Sequence, residues 1–435
     1  MKQKNFFWYI LIFVSLGVIS FWTLAFFLTE NKPIHVPLFV EIDFKNYWYL
    51  FPLALLNYYL LLKSGLNKKV KLVLFYCLSF SLIVVLNSFK QSLNLTTPLI
   101  DQNNYYQDAL EITNLRRFIA SFDRRTFFHH LHTRTHPPGP VLFHYFLNQL
   151  FPRLTIINAL AIILISSLNI FVVYKISSFF KNINKNFNLI LLLSSPGFLL
   201  YSATCMDAVF AFLISISIYF LLILTRNYSL KNIILASLWI FLATFFTYAS
   251  IIIPLFSLFF IILNKFKNKK YILSQIFIIF LVLFIYFILN ITTGFKPMAT
   301  FFSAKNFNTM LMPDIFMTFK RYIYSISANL VEYIIFLGLP ILSLLILTII
   351  NLVKDKKEKG RFNYYLAFLI PMIFLNLGGI YKTGQVSGET GRIWLFLTPL
   401  IIAGLKINNK KDLVIGSFLS FGQAIIIQIA FNTYW

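Results

Sequence analysis

Apolar segments of about 20 residues recur from one end of the 435-residue chain to the other. About 20 mostly apolar residues are needed for one helix to cross the hydrocarbon core of a bilayer. Charged residues make up only 12% of the chain, which is about half their share in soluble domains. We therefore predict an all-α fold, a polytopic transmembrane helical bundle in which lipid replaces water as the main solvent.

The hydropathy pattern predicts about 13 spans within a single integral membrane domain that covers residues 1–435. The predicted spans are 6–28, 47–63, 71–88, 154–178, 188–203, 208–225, 231–248, 250–264, 271–290, 328–351, 364–379, 393–406 and 412–432. We divide the chain into N-terminal spans (1–88), an extracytoplasmic catalytic loop (89–138), core spans (139–290), and C-terminal spans with outer loops (291–435). The apolar segment 139–152 is too short to span, so we predict that it dips into the outer leaflet.

The basic residues predict the orientation. With the N-terminus in the cytoplasm, every loop that falls inside is rich in Lys or Arg, as the positive-inside rule requires. This placement accounts for the net charge of +24 without nucleic-acid binding, which we do not expect. We predict a multi-pass protein of the plasma membrane whose chemistry lies on the extracytoplasmic side, where most of the acidic residues fall.

The loop 89–138 contains the densest cluster of polar residues. Residues 101–122 predict an amphipathic helix on which Asp101, Tyr105 and Asp108 share one face. Two structural alternatives stay open. Asp101 is also placed to cap a helix N-terminus, and Asp108 suits a solvated helix face paired with Arg residues.

The string 132–140 closes this loop with two prolines and a glycine, which predict a bend at the entry to the membrane. Arg134 and His136 would then point back toward the outer leaflet, where Arg is well suited to bind a phosphate. For the Arg residues of the loop, attraction to anionic headgroups is an alternative. The nearby histidines allow a zinc site, but they lack helical ligand spacing and no cysteine accompanies them. His144, on an apolar segment, is typical of a hydrogen-bonded core histidine.

Four strings resemble the C-type (GT-C) membrane glycosyltransferases, in the branch that contains protein O-mannosyltransferases and aminoarabinose transferases. Residues 101–109 (DQNNYYQDA) are similar to the acidic start of the first large outer loop in that family. Residues 135–142 (THPPGPVL) resemble the basic-Pro-Pro-Leu junction that closes the loop, although Thr135 stands where some relatives have Glu. Residues 194–210 resemble a stretch in which one helix ends at Ser-Pro and an Asp opens the next. Residues 388–394 (GETGRIW) add a late arginine on the outer side.

The resemblance implies an enzyme that transfers a sugar from a polyprenyl-phosphate-linked donor to a glycan, lipid or protein acceptor, with inversion at the anomeric carbon. The catalytic candidates are Asp101 as general base, Asp207, which would orient the acceptor or the sugar, and Asp108. The candidates for binding the donor phosphate are Arg134, His136 and Arg392; those for binding substrate are Tyr105 and Glu389.

Other interpretations remain open at this point. Some relatives use a divalent metal, and none is assigned here. Glu389 and Arg392 also have the spacing of a simple i,i+3 ion pair. The main alternative function is a transporter or flippase of a lipid-linked glycan, which would need ionisable residues within its spans. A non-enzymatic scaffold or membrane sensor is a further alternative.

Overall fold

The computed structural model describes residues 6–29, 65–88, 95–100, 104–124, 129–152, 154–203, 205–264, 269–311, 319–377, 389–407 and 409–430. Within these ranges every regular element is a helix, so the predicted all-α class is confirmed for the described residues. The predicted span 47–63 and the candidate Asp101 lie outside them.

The α-helices are α1 (Phe6–Thr29), α2 (Lys68–Asn87), α3 (Thr97–Ile100), α4 (Tyr105–Leu110), α5 (Leu115–Ala120), α6 (Leu131–Arg134), α7 (Gly139–Leu150), α8 (Thr155–Ser167), α9 (Asn169–Ser177), α10 (Lys185–Leu192), α11 (Pro196–Tyr201), α12 (Asp207–Leu224), α13 (Leu230–Phe246), α14 (Ile252–Asn264), α15 (Lys269–Thr293), α16 (Pro297–Leu311), α17 (Phe319–Leu337), α18 (Leu339–Lys354), α19 (Lys359–Leu377), α20 (Thr390–Ile393), α21 (Leu397–Ala403) and α22 (Lys410–Ala430).

Five helical segments of the described chain are long and apolar enough to cross a membrane. They are α2, the joined pair α8 and α9, α12, α15 and most of α22. Most of α12 is buried inside the protein, whereas only a small part of α15 is buried. An apolar helix with this exposure is suited to face lipid, so α12 lies in the core and α15 at the periphery.

A sixth candidate span is broken in the middle. Helices α17 and α18 pass the same test only as a pair, and they are bent by 100°. The bend lies at Gly338, whose φ of +104° is a backbone conformation that side-chain-bearing residues rarely adopt. Pro340 follows in the first turn of α18, so the predicted span 328–351 contains a sharp bend.

Two other predicted spans are divided into short helices. Segment 188–203 contains the second half of α10 and all of α11, and the helix is interrupted before Pro196, which occupies the first turn of α11. Segment 393–406 contains α21 and only the last residue of α20. The structure therefore supports five spans, or six with the bent pair, in the described residues.

The predicted helix over 101–122 is also interrupted. Helix α4 ends at Leu110, and α5 begins at Leu115 after Asn114, whose side chain accepts a hydrogen bond from the Arg117 N–H at 2.9 Å. Asn is a strong N-cap residue, so this local capping competes with a continuous helix. Helix α4 packs on α6 and α7, while α20 packs on α17 and α11.

Candidate functional site

Three charged residues from two distant parts of the chain meet at the start of α12. Asp207 is the first residue of that helix, where a carboxylate is favoured by the helix dipole. The Arg392 guanidinium lies 3.5 Å from an Asp207 carboxylate oxygen and donates to Glu389 at 2.7 Å. All three side chains are at most 16% exposed. The predicted i,i+3 pair between Glu389 and Arg392 is confirmed, but Arg392 also bridges to Asp207.

The short helix α20, which carries Arg392, is anchored by Glu332 of α17. The fully buried Glu332 carboxyl accepts hydrogen bonds from the backbone N–H groups of Thr390 and Gly391, both at 3.3 Å. The Thr390 hydroxyl lies 3.2 Å from the same carboxyl group and 2.7 Å from the carbonyl oxygen of Asn329. These contacts satisfy N–H groups that the start of a helix leaves without partners. Glu332 therefore fixes the turn on which Arg392 stands.

Three ring-bearing residues of the segment 89–138 border this charged group. Tyr105 of α4 contacts His132 and His136, with ring centroids 5.9 and 5.5 Å apart. The His136 ring also stacks on Phe210 of α12 at 5.6 Å. Asp207 and Arg392 both act on the pKa of Tyr105, which burial raises first and Asp207 raises further. The predicted residues Tyr105, His136, Asp207, Glu389 and Arg392 thus form one centre.

The two histidines of this centre are neutral at pH 7. Burial lowers the pKa of His132 to about 3, and the positive charge of Arg392 lowers it in the same direction. Burial likewise lowers the pKa of His136 to about 4. His136 Nδ1 lies 3.0 Å from the carbonyl oxygen of His132, to which it donates. These rings carry no charge, and the neutral His136 ring, whose hydrogen is on Nδ1, presents only the lone pair of Nε2 to a ligand.

Arg392 supplies the positive charge of the described centre. Burial alone would lower the pKa of Arg392, but Asp207 and Glu389 outweigh burial and raise it above its ordinary value. Two carboxylates therefore face one guanidinium that is always ionised. An anionic ligand would share Arg392 with these carboxylates and would take its remaining hydrogen bonds from neutral groups.

The other predicted residues lie in a second cluster, built from α4 and α6. Asp108 is 2% exposed and contacts His129 and His130. The alternative that Asp108 lies on a solvated helix face and pairs with Arg residues is therefore wrong. Arg134 donates through Nε to the carbonyl oxygen of His129, and its guanidinium lies 4.9 Å from the ring centroid of Phe307. Among the described residues, Arg134 and Asp108 thus make their contacts with His129, His130 and Phe307.

Sequence reasoning missed Glu332 as a functional candidate because it lies within an apolar segment. The sequence did contain a partial signal: a carboxyl group within an apolar segment needs polar partners. It also missed the contacts of His129 and His130 with Asp108, because their spacing fits no recurring motif. His144 is a buried histidine that contacts Asn158 at 2.9 Å, which confirms its predicted place in the core.

Within the described ranges no group of three or more His, Cys, Asp and Glu side chains is arranged to hold a metal ion. No family model matches the sequence, and no curated protein or solved structure matches it either.

Proposed function

We propose that this chain is a membrane glycosyltransferase of the GT-C type, which transfers a sugar from a polyprenyl-phosphate donor to an acceptor at the extracytoplasmic face. The observation that carries the proposal is the contact of Arg392 with Asp207 and Glu389, bordered by Tyr105 and His136 of the loop 89–138. Buried ionisable groups of this kind, gathered from distant segments beside apolar helices, are typical of functional sites in membrane proteins.

In the proposed reaction, the acceptor hydroxyl attacks the anomeric carbon opposite the phosphate. The new bond joins the acceptor oxygen to that carbon, and the polyprenyl phosphate leaves with the electrons of the broken carbon–oxygen bond. Arg392 stabilises the charge that develops on the phosphate, and the neutral His136 ring borders the site. Asp207 and Glu389 orient sugar or acceptor hydroxyls beside Tyr105. The product has the inverted anomeric configuration.

The proposal includes the finer topology derived from the sequence. The chain would cross the plasma membrane about 13 times. Its N-terminus would lie in the cytoplasm, and the centre would lie at the outer leaflet. A polyprenyl donor carries its phosphate at that depth while its hydrocarbon chain stays in the bilayer. The acceptor is a glycan, a lipid or a protein. The resemblance assigns the general base to Asp101, which precedes α4 in the same loop.

The proposal is tested with purified protein in lipid vesicles. The probe is a synthetic polyprenyl-phosphate hexose with a radiolabelled sugar, and a cell-envelope extract supplies the acceptor. We expect the wild type to release polyprenyl phosphate and to transfer the label. Asp207→Asn should slow both by about 100-fold, the loss typical of removing one positioned catalytic group. The control is Glu111→Gln, an exposed carboxylate of the same loop, which should react like the wild type.

Two outcomes would contradict the proposal. Intact donor that crosses the vesicle membrane without cleavage would support the transporter alternative. Equal release of polyprenyl phosphate by the wild type and Asp207→Asn would show that the centre takes no part in donor cleavage.

A further inference from the structure

A buried carboxylate in the loop is bonded to a histidine that reaches the surface. The Asp108 side chain is 1% exposed, whereas that of His130 is 28% exposed. Asp108 accepts from the backbone N–H of His130 at 3.1 Å, and His130 Nδ1 lies 3.0 Å from the same carboxylate. One acidic group thus holds both the backbone and the ring of His130.

The carboxylate of this pair is ionised at neutral pH. Burial alone would raise the pKa of Asp108, but interactions with His129, Thr133 and, to a smaller extent, His130 outweigh burial and hold the pKa below its ordinary value. An ionised carboxylate only accepts hydrogen bonds, so Nδ1 of His130 must carry the hydrogen. The lone pair of the neutral ring is then on Nε2.

We infer that the second ring nitrogen of His130, Nε2, lies on the exposed side of the ring. Nδ1 contacts a carboxylate that is almost inaccessible to solvent, so the exposed edge carries Nε2. His129 differs, because its ring is buried and stacks on Phe122 at 5.0 Å. Of the two histidines that contact Asp108, His130 is the one available to a substrate.

The pair and the centre described above stand on the same two short helices. Tyr105 and Asp108 are three residues apart on α4, which is one turn of helix. Tyr105 contacts His132, and Asp108 contacts His130 at the start of α6. The same two short helices therefore carry the rings beside Arg392 and the carboxylate that holds His130.

We propose that Asp108 and His130 form an acid–base dyad, in which Nε2 of His130 accepts the proton of the acceptor hydroxyl during sugar transfer. Asp108 fixes the tautomer and the orientation of the ring and stabilises the imidazolium that forms. The proton moves from the acceptor oxygen to Nε2 as that oxygen bonds to the anomeric carbon and the phosphate leaves. This inference rests on the proposed function and gives the dyad the role that the resemblance assigns to Asp101.

The first experiment needs no substrate. Diethyl pyrocarbonate modifies neutral, accessible imidazole nitrogens, and peptide mass spectrometry measures the rate at each histidine. We expect His130 to react faster than the buried His144. Asp108→Asn should change the rate at His130, because it removes the carboxylate that holds the ring, whereas Glu111→Gln should leave it unchanged. A rate at His130 that is no faster than at His144, or that is equal in Asp108→Asn and the wild type, would overturn the dyad.

The second experiment separates catalysis from a structural role. In His130→Asn the side-chain amide nitrogen takes the place of Nδ1 and keeps the hydrogen bond to Asp108, but no basic nitrogen remains. We expect an unchanged midpoint of thermal unfolding and a loss of transfer of about 100-fold or more, as for removal of a general base. A His130→Asn variant that transfers sugar at the wild-type rate would show that the pair only stabilises the loop.

The Asp101→Asn variant distinguishes the two candidate bases. If Nε2 of His130 is the base, Asp101→Asn keeps more activity than His130→Asn; the reverse order would overturn the inference. If the wild type releases no polyprenyl phosphate, the proposed function fails, while the result with diethyl pyrocarbonate still decides whether the dyad exists.

Discussion

At the scale of single residues, His132 and His136 make the stability of the protein depend on pH. Their pKa values in the folded protein are about 3 and about 4, against 6.5 for an unperturbed histidine. Between these limits the unfolded chain binds protons that the folded protein does not, so folding becomes less favourable as the pH falls. We expect the midpoint of thermal unfolding in detergent to decrease as the pH is lowered from about 6.5 to about 5.

The variant His136→Asn provides the matched control for this prediction. Its amide nitrogen can keep the hydrogen bond to the His132 carbonyl oxygen but cannot titrate. The decrease of the unfolding midpoint should therefore be smaller in His136→Asn than in the wild type. An equal decrease in both proteins would mean that His136 does not contribute to the pH dependence.

The sequence identified some residues of the centre and missed others. Asp207, Glu389 and Arg392 were identified as candidates because they lie in strings that resemble the GT-C glycosyltransferases, next to the ends of apolar segments. Their meeting could not be derived, since it depends on how distant helices pack. Glu332 was not identified as a candidate, because its role is visible only in the contacts it makes with the backbone of Thr390 and Gly391.

At the scale of elements, the close packing of α20 on α17 should control activity. A Cβ atom on Gly391 would lie 2.6 Å from the Phe336 ring carbon Cγ, which is closer than two carbon atoms approach without strain. Gly391→Ala should therefore push α20 away from α17 and displace Arg392. We expect a loss of donor cleavage of at least about tenfold, because small displacements of catalytic groups are costly.

A second substitution tests the cause of that loss. Phe336→Ala removes the ring that the new methyl group would meet, so the double variant Gly391→Ala/Phe336→Ala should recover part of the activity that Gly391→Ala loses. Donor cleavage by the three variants is compared at equal amounts of folded protein. A double variant that is less active than Gly391→Ala would show that the contact with the Phe336 ring does not cause the loss of activity.

The sequence predicted helices well and their interruptions poorly. Apolar composition predicts a helix in lipid or in a protein core, and the described residues contain helices at the positions expected for α2, α12 and α15. It did not predict the break between α4 and α5. Side-chain capping by Asn114 stabilises a new helix start by only about 1 kcal/mol, yet this is enough to compete with continuation of the helix. The sequence also missed the bend at Gly338, which requires a positive φ.

At the scale of the whole molecule, the predicted topology places Arg124 outside the cell and Lys357 inside. Both residues are exposed, so a cysteine at either position should be accessible to a reagent in the adjoining solution. In a variant with Cys77 and Cys205 replaced by Ala, a membrane-impermeant maleimide added to intact cells should label Arg124→Cys. It should label Lys357→Cys only after the membrane is permeabilised. The opposite pattern would place the centre on the cytoplasmic side.

The central claim is that Asp207 and Arg392, far apart in the chain, act as one unit in donor cleavage. The most direct test is a double-mutant cycle with Asp207→Asn, Arg392→Gln and the variant carrying both, measured as release of polyprenyl phosphate from the labelled donor. Residues that act as a unit give strongly non-additive losses. We predict that each single variant loses about 100-fold and that the double variant is no slower than the slower single one. Losses that multiply in the double variant, or a single variant with wild-type activity, would contradict the account.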